Sequence, residues 1–544
     1  MMSDSISNSE VFFTAMSSVK QLHCRTFALV EAISATLLWT LTIGICLIGW
    51  ALFGRPLQDS CGNRIPKGPL GLPILGSFPF LTRYPELTLD YWAKKFGNLY
   101  SFWLGNRLFV IVSDPHIVKD LMVTNGSVFS SRPDMFVKCQ TVFAGRGIAT
   151  TPYNDRWRKH RRIALSWLSQ KAVDSHTETV DRESMSLIKA MFDGSQQGKV
   201  PVRPHSQIGR CLFNVMATIT FGFRIDSIEH PLIMQALKLN REFMNCTGSV
   251  SNLVDFVPLL QYFPTPMHER GKRIHRGLVN IYGGLFKNVE KQLEEGKPVP
   301  DCLGKTMVEI QDKEQLDDLD MTMLASAFML AGVENPGALL QWFSALIPTF
   351  PEVQKKAQAE LDRVVGRDRL PTIDDEKSLP YCRAIIKEVE RVHNPFWLGT
   401  PHATSEDFVC RGQFIPKDTV VIINTWTMHH DPVRYPIPDL FNPDRYIHDS
   451  LKSAESAHLA DPEKRDHWMF GAGRRMCPGV NLAERVIWLS ISRLLWAFDM
   501  VEIPDEPIDR KDYDGKSARS PVPFRIKLTP RHANVARVLE GIAI

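Results

Sequence analysis

Three long apolar stretches set the frame of this sequence. Ala32 to Phe53 runs 22 residues without a charge, close to the ~20 residues that carry a helix across a bilayer's hydrocarbon core. Trp50 and Phe53 stand near its far end and Arg55 follows, where aromatic rings and cations favour a membrane interface. A secretory signal would be shorter and nearer the start, so the pattern predicts an uncleaved anchor. Leu316 to about Phe350 is apolar at nearly all positions past Asp320, as in a helix buried on most sides. Within it lies Ala331-Gly-Val-Glu-Asn-Pro336. Pro336 has no N–H and meets the carbonyl of Gly332, at a cost of ~3 kcal/mol or more, so the helix is expected to open or kink between them. The third stretch, Val480 to Phe498, follows Pro478-Gly479, and a proline suits a first helical turn.

Shorter patterns fill the intervals. Ile65 to Pro73 holds three prolines and two glycines and reads as a stiff linker. Tyr100–Leu104 and Leu108–Val112 flank Gly105-Asn106-Arg107 as a hairpin. Trp157 and Arg161 are four apart, on one helix face. Residues 165–310 alternate amphipathic stretches with turns and name no ligand. Helices are predicted from Pro351 to Gly366 and onward from Pro380, and a small sheet from Gly412 to Ile423. The organisation predicted is a leader at 1–31, an anchor at 32–53, a linker at 54–75 and a body at 76–544.

Composition changes this picture little. A chain of 544 residues suggests two to four domains by length alone. A net charge of +4 gives no reason to expect nucleic acid. The ten cysteines are scattered without a CxxC pair, which argues against a disulfide framework and for a reducing compartment. Two cations precede the anchor (Lys20, Arg25) and three follow it (Arg55, Arg64, Lys67), so charge leans towards a cytosolic body.

The chemistry concentrates in Phe470-Gly-Ala-Gly-Arg-Arg-Met-Cys-Pro-Gly479. Cys477 is the candidate metal ligand, because thiolates are favoured beside cations, free N–H groups and helix N-termini. Glycines allow backbone to approach a flat macrocycle, and Arg475 can meet a carboxylate on its edge.

The pattern Phe-x-x-Gly-x-Arg-x-Cys-x-Gly, at Phe470, Gly473, Arg475, Cys477 and Gly479, resembles the haem-binding loop of the cytochrome P-450 family. The resemblance spans about residues 60 to 530, overrides the multi-domain expectation and implies a mainly α (α+β) fold: a large helical domain with a small β-rich region, behind a transmembrane helix. It implies haem with Cys477 as axial ligand, and Trp157, Arg161 and His402 at the haem propionates. Glu388 and Arg391, with Arg445 in Phe441-Asn-Pro-Asp-Arg-Tyr446, match the family's scaffold triad. Ala331, Gly332 and Glu334 match its oxygen-binding groove, where Glu334 and Asn335 take the catalytic positions. Asn335 departs from the usual threonine and lacks a hydroxyl to relay protons. Phe396–Gly399, Met135–Phe143 and Phe328 are expected to line the substrate pocket.

Pro401-His-Ala-Thr-Ser-Glu-Asp407 and the Trp426 stretch look like fungal microsomal members, often tailors of secondary metabolites. The implied activity is a monooxygenase of the endoplasmic reticulum membrane that oxidises an apolar small molecule. Its electrons would come from NADPH through a cytochrome P-450 reductase, with cytochrome b5 as a second candidate partner. Arg158, Lys159, Arg162 and Arg474 offer a basic surface for an acidic reductase. Two other readings stay open: a reductase-independent isomerase or dehydratase, motivated by Asn335, and a haem-carrying binding protein.

Overall fold

The structure, a computed structural model, describes residues 29–46 and 57–541. Helix α1, Leu29–Cys46, is long and apolar enough to cross a membrane, and none of its most apolar window is buried by other residues. It begins ahead of the charge-free run and includes Glu31. The rest of the anchor stretch, 47–53, and the leader to residue 28 lie outside the described residues.

From Leu57 onward the expected linker is fastened to the body rather than spanning a gap. The Ser101 N–H donates to Lys67 O and the Ser101 hydroxyl to Pro66 O. Strands β1 (Leu99–Leu104) and β2 (Arg107–Val112) form the hairpin with a two-residue loop. Nearly three hundred residues later, the chain folds back on it. Strand β3 (His402–Ala403), the short hairpin β4–β5 (Phe408–Cys410, Gln413–Ile415) and β6 (Val420–Ile423) follow in sequence. The sheet order is β1-β2-β6-β3, with β6 parallel to β2 and Phe109 opposite Val420. Side chains alternate between its faces. Tyr100, Phe102, Phe109 and Ile422 face a core with Trp92, while Val110, Val112 and Ile423 face another with Phe129, Trp468 and Ala472. That second face holds the segment leading to Cys477.

The helical part packs around one buried helix. In chain order its main helices are α2 (Pro85–Phe96), α3 (Asp155–Leu168), α4 (Thr177–Gly194), α5 (Pro204–Phe221), α6 (Pro231–Cys246), α7 (Asp318–Leu346), α8 (Pro351–Val364), α9 (Pro380–Val392) and α10 (Val480–Ala497). Helix α7 is apolar on every face and packs closely against α5. A β-carbon at Gly332 would stand 2.4 Å from Met216 Sδ of α5, so a larger residue there would require the Met216 side chain to move.

Two local expectations change. Helix α7 runs unbroken across Pro336: packing on its neighbours holds the chain helical, and the proline's cost is confined to local hydrogen bonding. Helix α10 starts at Val480 with Gly479 as its cap, so Pro478 lies in the turn ahead of the first helical turn.

Candidate haem site

A cavity of about 340 Å³ separates α7 from the Cys477 segment and the start of α10. The Cys477 N–H donates to Phe470 O at 2.9 Å, and Met476 N–H to Gly473 O at 3.1 Å. These bonds fold the segment into a loop that places the sulfur at the cavity wall. Gly473 has a φ of 61°, and a β-carbon there would stand 1.9 Å from Met122 O; glycine is required. Phe470 and Gly479 line the cavity beside Cys477. Burial pushes the Cys477 thiol up, while the Gly479 N–H and the Arg161 guanidinium oppose it. Those two groups favour thiolate once a cation binds the sulfur.

The most telling feature of the cavity is its charge. Arg132, Lys138, Arg161 and Arg475 all line it, and among the described residues no Asp or Glu does. Arg475 donates to Ser130 O (2.8 Å) and Thr151 O (2.8 Å), and its guanidinium lies 4.0 Å over the Trp157 ring. Burial, with Arg132 and Arg161 beside it, lowers its pKa to about 8. Arg132 donates to Thr400 O and Pro401 O and falls to about 9, chiefly through burial. Its Nε is buried without a partner. Arg161 donates to Met476 O at 2.6 Å, and burial lowers it too, against the pull of Cys477. His402 Nδ1 stands 2.7 Å from Phe129 O, and burial followed by Arg132 holds it well below the usual histidine range. Buried like charges without counter-charge are costly, so this wall is built for a ligand carrying anionic groups.

The structure brings Trp157, Arg161, His402 and Arg475 to the same cavity. Arg132 joins them from a stretch, Ser131-Arg-Pro, that carries no motif. A porphyrin edge with two carboxylates fits this cluster, and Cys477 fits as its single protein ligand. Among the described residues, no group of three or more His, Cys, Asp or Glu could hold a metal by itself.

The opposite wall separates the two residues expected to act in catalysis. Asn335 faces the cavity, its Nδ2 3.3 Å from Ala331 O and its Oδ1 buried without a partner. Glu334 does not line the cavity. Successive helix positions diverge by about 100°, and Glu334 lies 3.8 Å from Arg241 of α6, which pairs with Asp514 at 2.8 Å. Burial raises Glu334 to about 7; Arg241 opposes this and Asp514 adds to it.

The scaffold residues lie apart from the cavity. Arg391 meets Glu388 through Nε (2.8 Å) and Nη2 (2.7 Å), with both side chains fully buried. Arg445 Nε reaches the same carboxylate at 3.3 Å, and Asn442 N–H donates to it at 2.9 Å. Arg391 and Arg445 also bind the carbonyls of His429, Pro436 and Ile437. One glutamate therefore ties α9 to the loop ahead of the cysteine segment.

The expected substrate-lining stretches divide. Phe396, Leu398 and Gly399 line the cavity, as do Lys138, Phe143 and Phe328. Trp397 and Met135 instead enter the core with Phe102 and Phe109. Residues 395–398 form a turn and Phe136–Val142 a helical turn, so successive side chains point in different directions and a contiguous lining stretch was too simple an expectation.

Residues 66–528 match the sequence profile of the cytochrome P-450 family. Similar proteins include cytochrome P-450 monooxygenase polD of Polytolypa hystricis, 33% identical over 501 residues that cover 91% of this chain and 95% of that one. Cytochrome P-450 monooxygenases virE of Hypocrea virens and verL of Clonostachys rogersoniana are each 32% identical, over 86% and 91% of this chain and 86% and 92% of theirs. A profile match across most of the chain, relatives aligned nearly end to end, and a cysteine facing an acid-free, arginine-rimmed cavity lead to one conclusion: the chain belongs to the cytochrome P-450 family.

Proposed function

We propose that the chain is a membrane-anchored haem-thiolate monooxygenase that oxidises an apolar small molecule of fungal secondary metabolism, with electrons from NADPH through a partner reductase. The observation that carries this reading is the placement of Cys477 below a cavity whose ionisable lining is cationic. Cys477 would hold the haem iron, and Phe470, Gly473 and Gly479 would shape the loop around it. Arg132, Arg161 and Arg475, with Trp157 and His402, would hold the propionates. Bound there, haem supplies reductive activation of dioxygen and transfer of one oxygen atom to substrate.

The residues of the chain do the rest. Phe328, Phe396 and Leu398 exclude water and orient the substrate. Glu334, near 7, takes up and releases a proton close to neutral pH. Asn335 hydrogen-bonds water or ligand through its amide and passes no hydroxyl proton. Helix α1 would fix the body at the endoplasmic reticulum membrane, facing the cytosol.

The basic surface suits an acidic reductase only in part. Arg162 pairs with Glu314 at 2.6 Å and Arg158 with Asp155 at 2.5 Å, while Arg474 donates to the Tyr153 hydroxyl. Cytochrome b5 would compete for the same charge. Membranes carrying the full chain should form product from a substrate panel only with NADPH, reductase and dioxygen together. Product without reductase would instead favour the isomerase or dehydratase reading to which Asn335 points.

A further inference from the structure

The arginine cluster leaves one cation of the cavity unexplained. Lys138, on the helical turn Phe136–Val142, lines the same cavity, yet its ammonium forms no hydrogen bond or ion pair among the described residues. Its Nζ lies 5.9 Å from the ring centroid of Phe243 on α6 and 5.6 Å from that of Phe396. Both rings line the cavity as well. Cation–π contact offsets only part of the cost of taking an ammonium out of water. Burial lowers its pKa to about 8; Arg132 adds to this, while Cys139 and Asp255 oppose it. Asp255 shares a second, smaller cavity with Lys138 behind this wall; it favours the lysine's charge from a distance, forms no ion pair with it, and accepts the Val137 N–H at 2.8 Å. Among the described residues, no carboxylate forms an ion pair with Lys138. The two propionates are already outnumbered by Arg132, Arg161 and Arg475.

We infer that Lys138 anchors a carboxylate of the substrate, so that the preferred substrate is an otherwise apolar acid held between Phe243 and Phe396. This rests on the haem reading above. An apolar chamber gives little preference between similar hydrocarbons. A single ammonium on the cavity wall gives a strong one, because a charge-assisted hydrogen bond distinguishes an acid from its ester by about ten- to a hundredfold.

The test uses imidazolyl-alkanoic acids, from hexanoic to dodecanoic, and their methyl esters, titrated by absorbance into the full-length haem-loaded protein. The imidazole nitrogen binds iron, so binding does not depend on knowing the natural substrate. The expected result is a chain length at which the acid binds at least about tenfold more tightly than the ester. Lys138→Met should erase that preference and leave the ester unchanged; Lys138→Arg should keep it. Equal binding of acid and ester at every length overturns the inference, as does a preference that survives in Lys138→Met. If Lys138→Met and Lys138→Gln both lose haem while Lys138→Arg holds it, the charge serves a propionate and the inference also fails. A wild-type protein whose spectrum no imidazole changes would instead count against the haem reading.

Discussion

The two walls of the cavity are built by different means. On the Cys477 wall, backbone sets the geometry: a glycine with a positive φ, a loop closed by its own N–H groups, and arginines aimed by main-chain carbonyls. On the wall of Lys138, Phe243 and Phe396, side chains from three distant segments converge, and no motif links them. The first wall fixes which cofactor fits. On the reading proposed above, the second would select the molecule brought to it.

That contrast can be broken from either side. The largest effect belongs to Cys477→Ala, which should abolish product formation altogether while the fold, measured by circular dichroism, persists. Next is Glu388→Ala, which leaves Arg391 buried and unpaired; losing one partner of a buried pair costs about 3–5 kcal/mol. It should lower the thermal midpoint sharply and prevent haem retention. Arg132→Met should weaken haem retention by about ten- to a hundredfold, the worth of one charge-assisted contact, as read by haem transfer to a competing protein. If retention is unchanged, Arg132 belongs to the substrate wall instead.

The smallest expected effect is at Glu334. Its folded value is raised to about 7, so its proton is present below that pH and is lost as pH rises through it. One unit higher, about a tenth of the molecules keep the proton. Product formed per NADPH should therefore fall between about pH 6 and 8, and Glu334→Gln should flatten that profile. A wild-type profile that is flat across this range would remove Glu334 from proton delivery.

The sequence reveals these walls unequally for the same reason. Cys477, Arg475 and Gly473 lie within five positions, and Trp157–Arg161 and Glu388–Arg391 each sit within one helical turn, so their relations are local. The parallel pairing of β2 with β6 joins residues some 300 positions apart, and no pattern of alternation announces it. Arg132 and Lys138 reach the cavity only through that long-range folding. The direction of Glu334 depends on the rotation of α7 about its axis, a consequence of its packing against several elements distant in sequence. The unbroken passage of α7 across Pro336 likewise reflects packing that local propensity does not contain.

The central claim, that Cys477 is the thiolate ligand of a haem, is tested most directly by the carbon monoxide difference spectrum of the reduced protein in membranes, beside Cys477→Ala. The account predicts the red-shifted Soret band of a thiolate-ligated haem in the wild-type protein and its loss in the variant. A band that persists in Cys477→Ala, or a wild-type band at the position of a nitrogen-ligated haem, would contradict it.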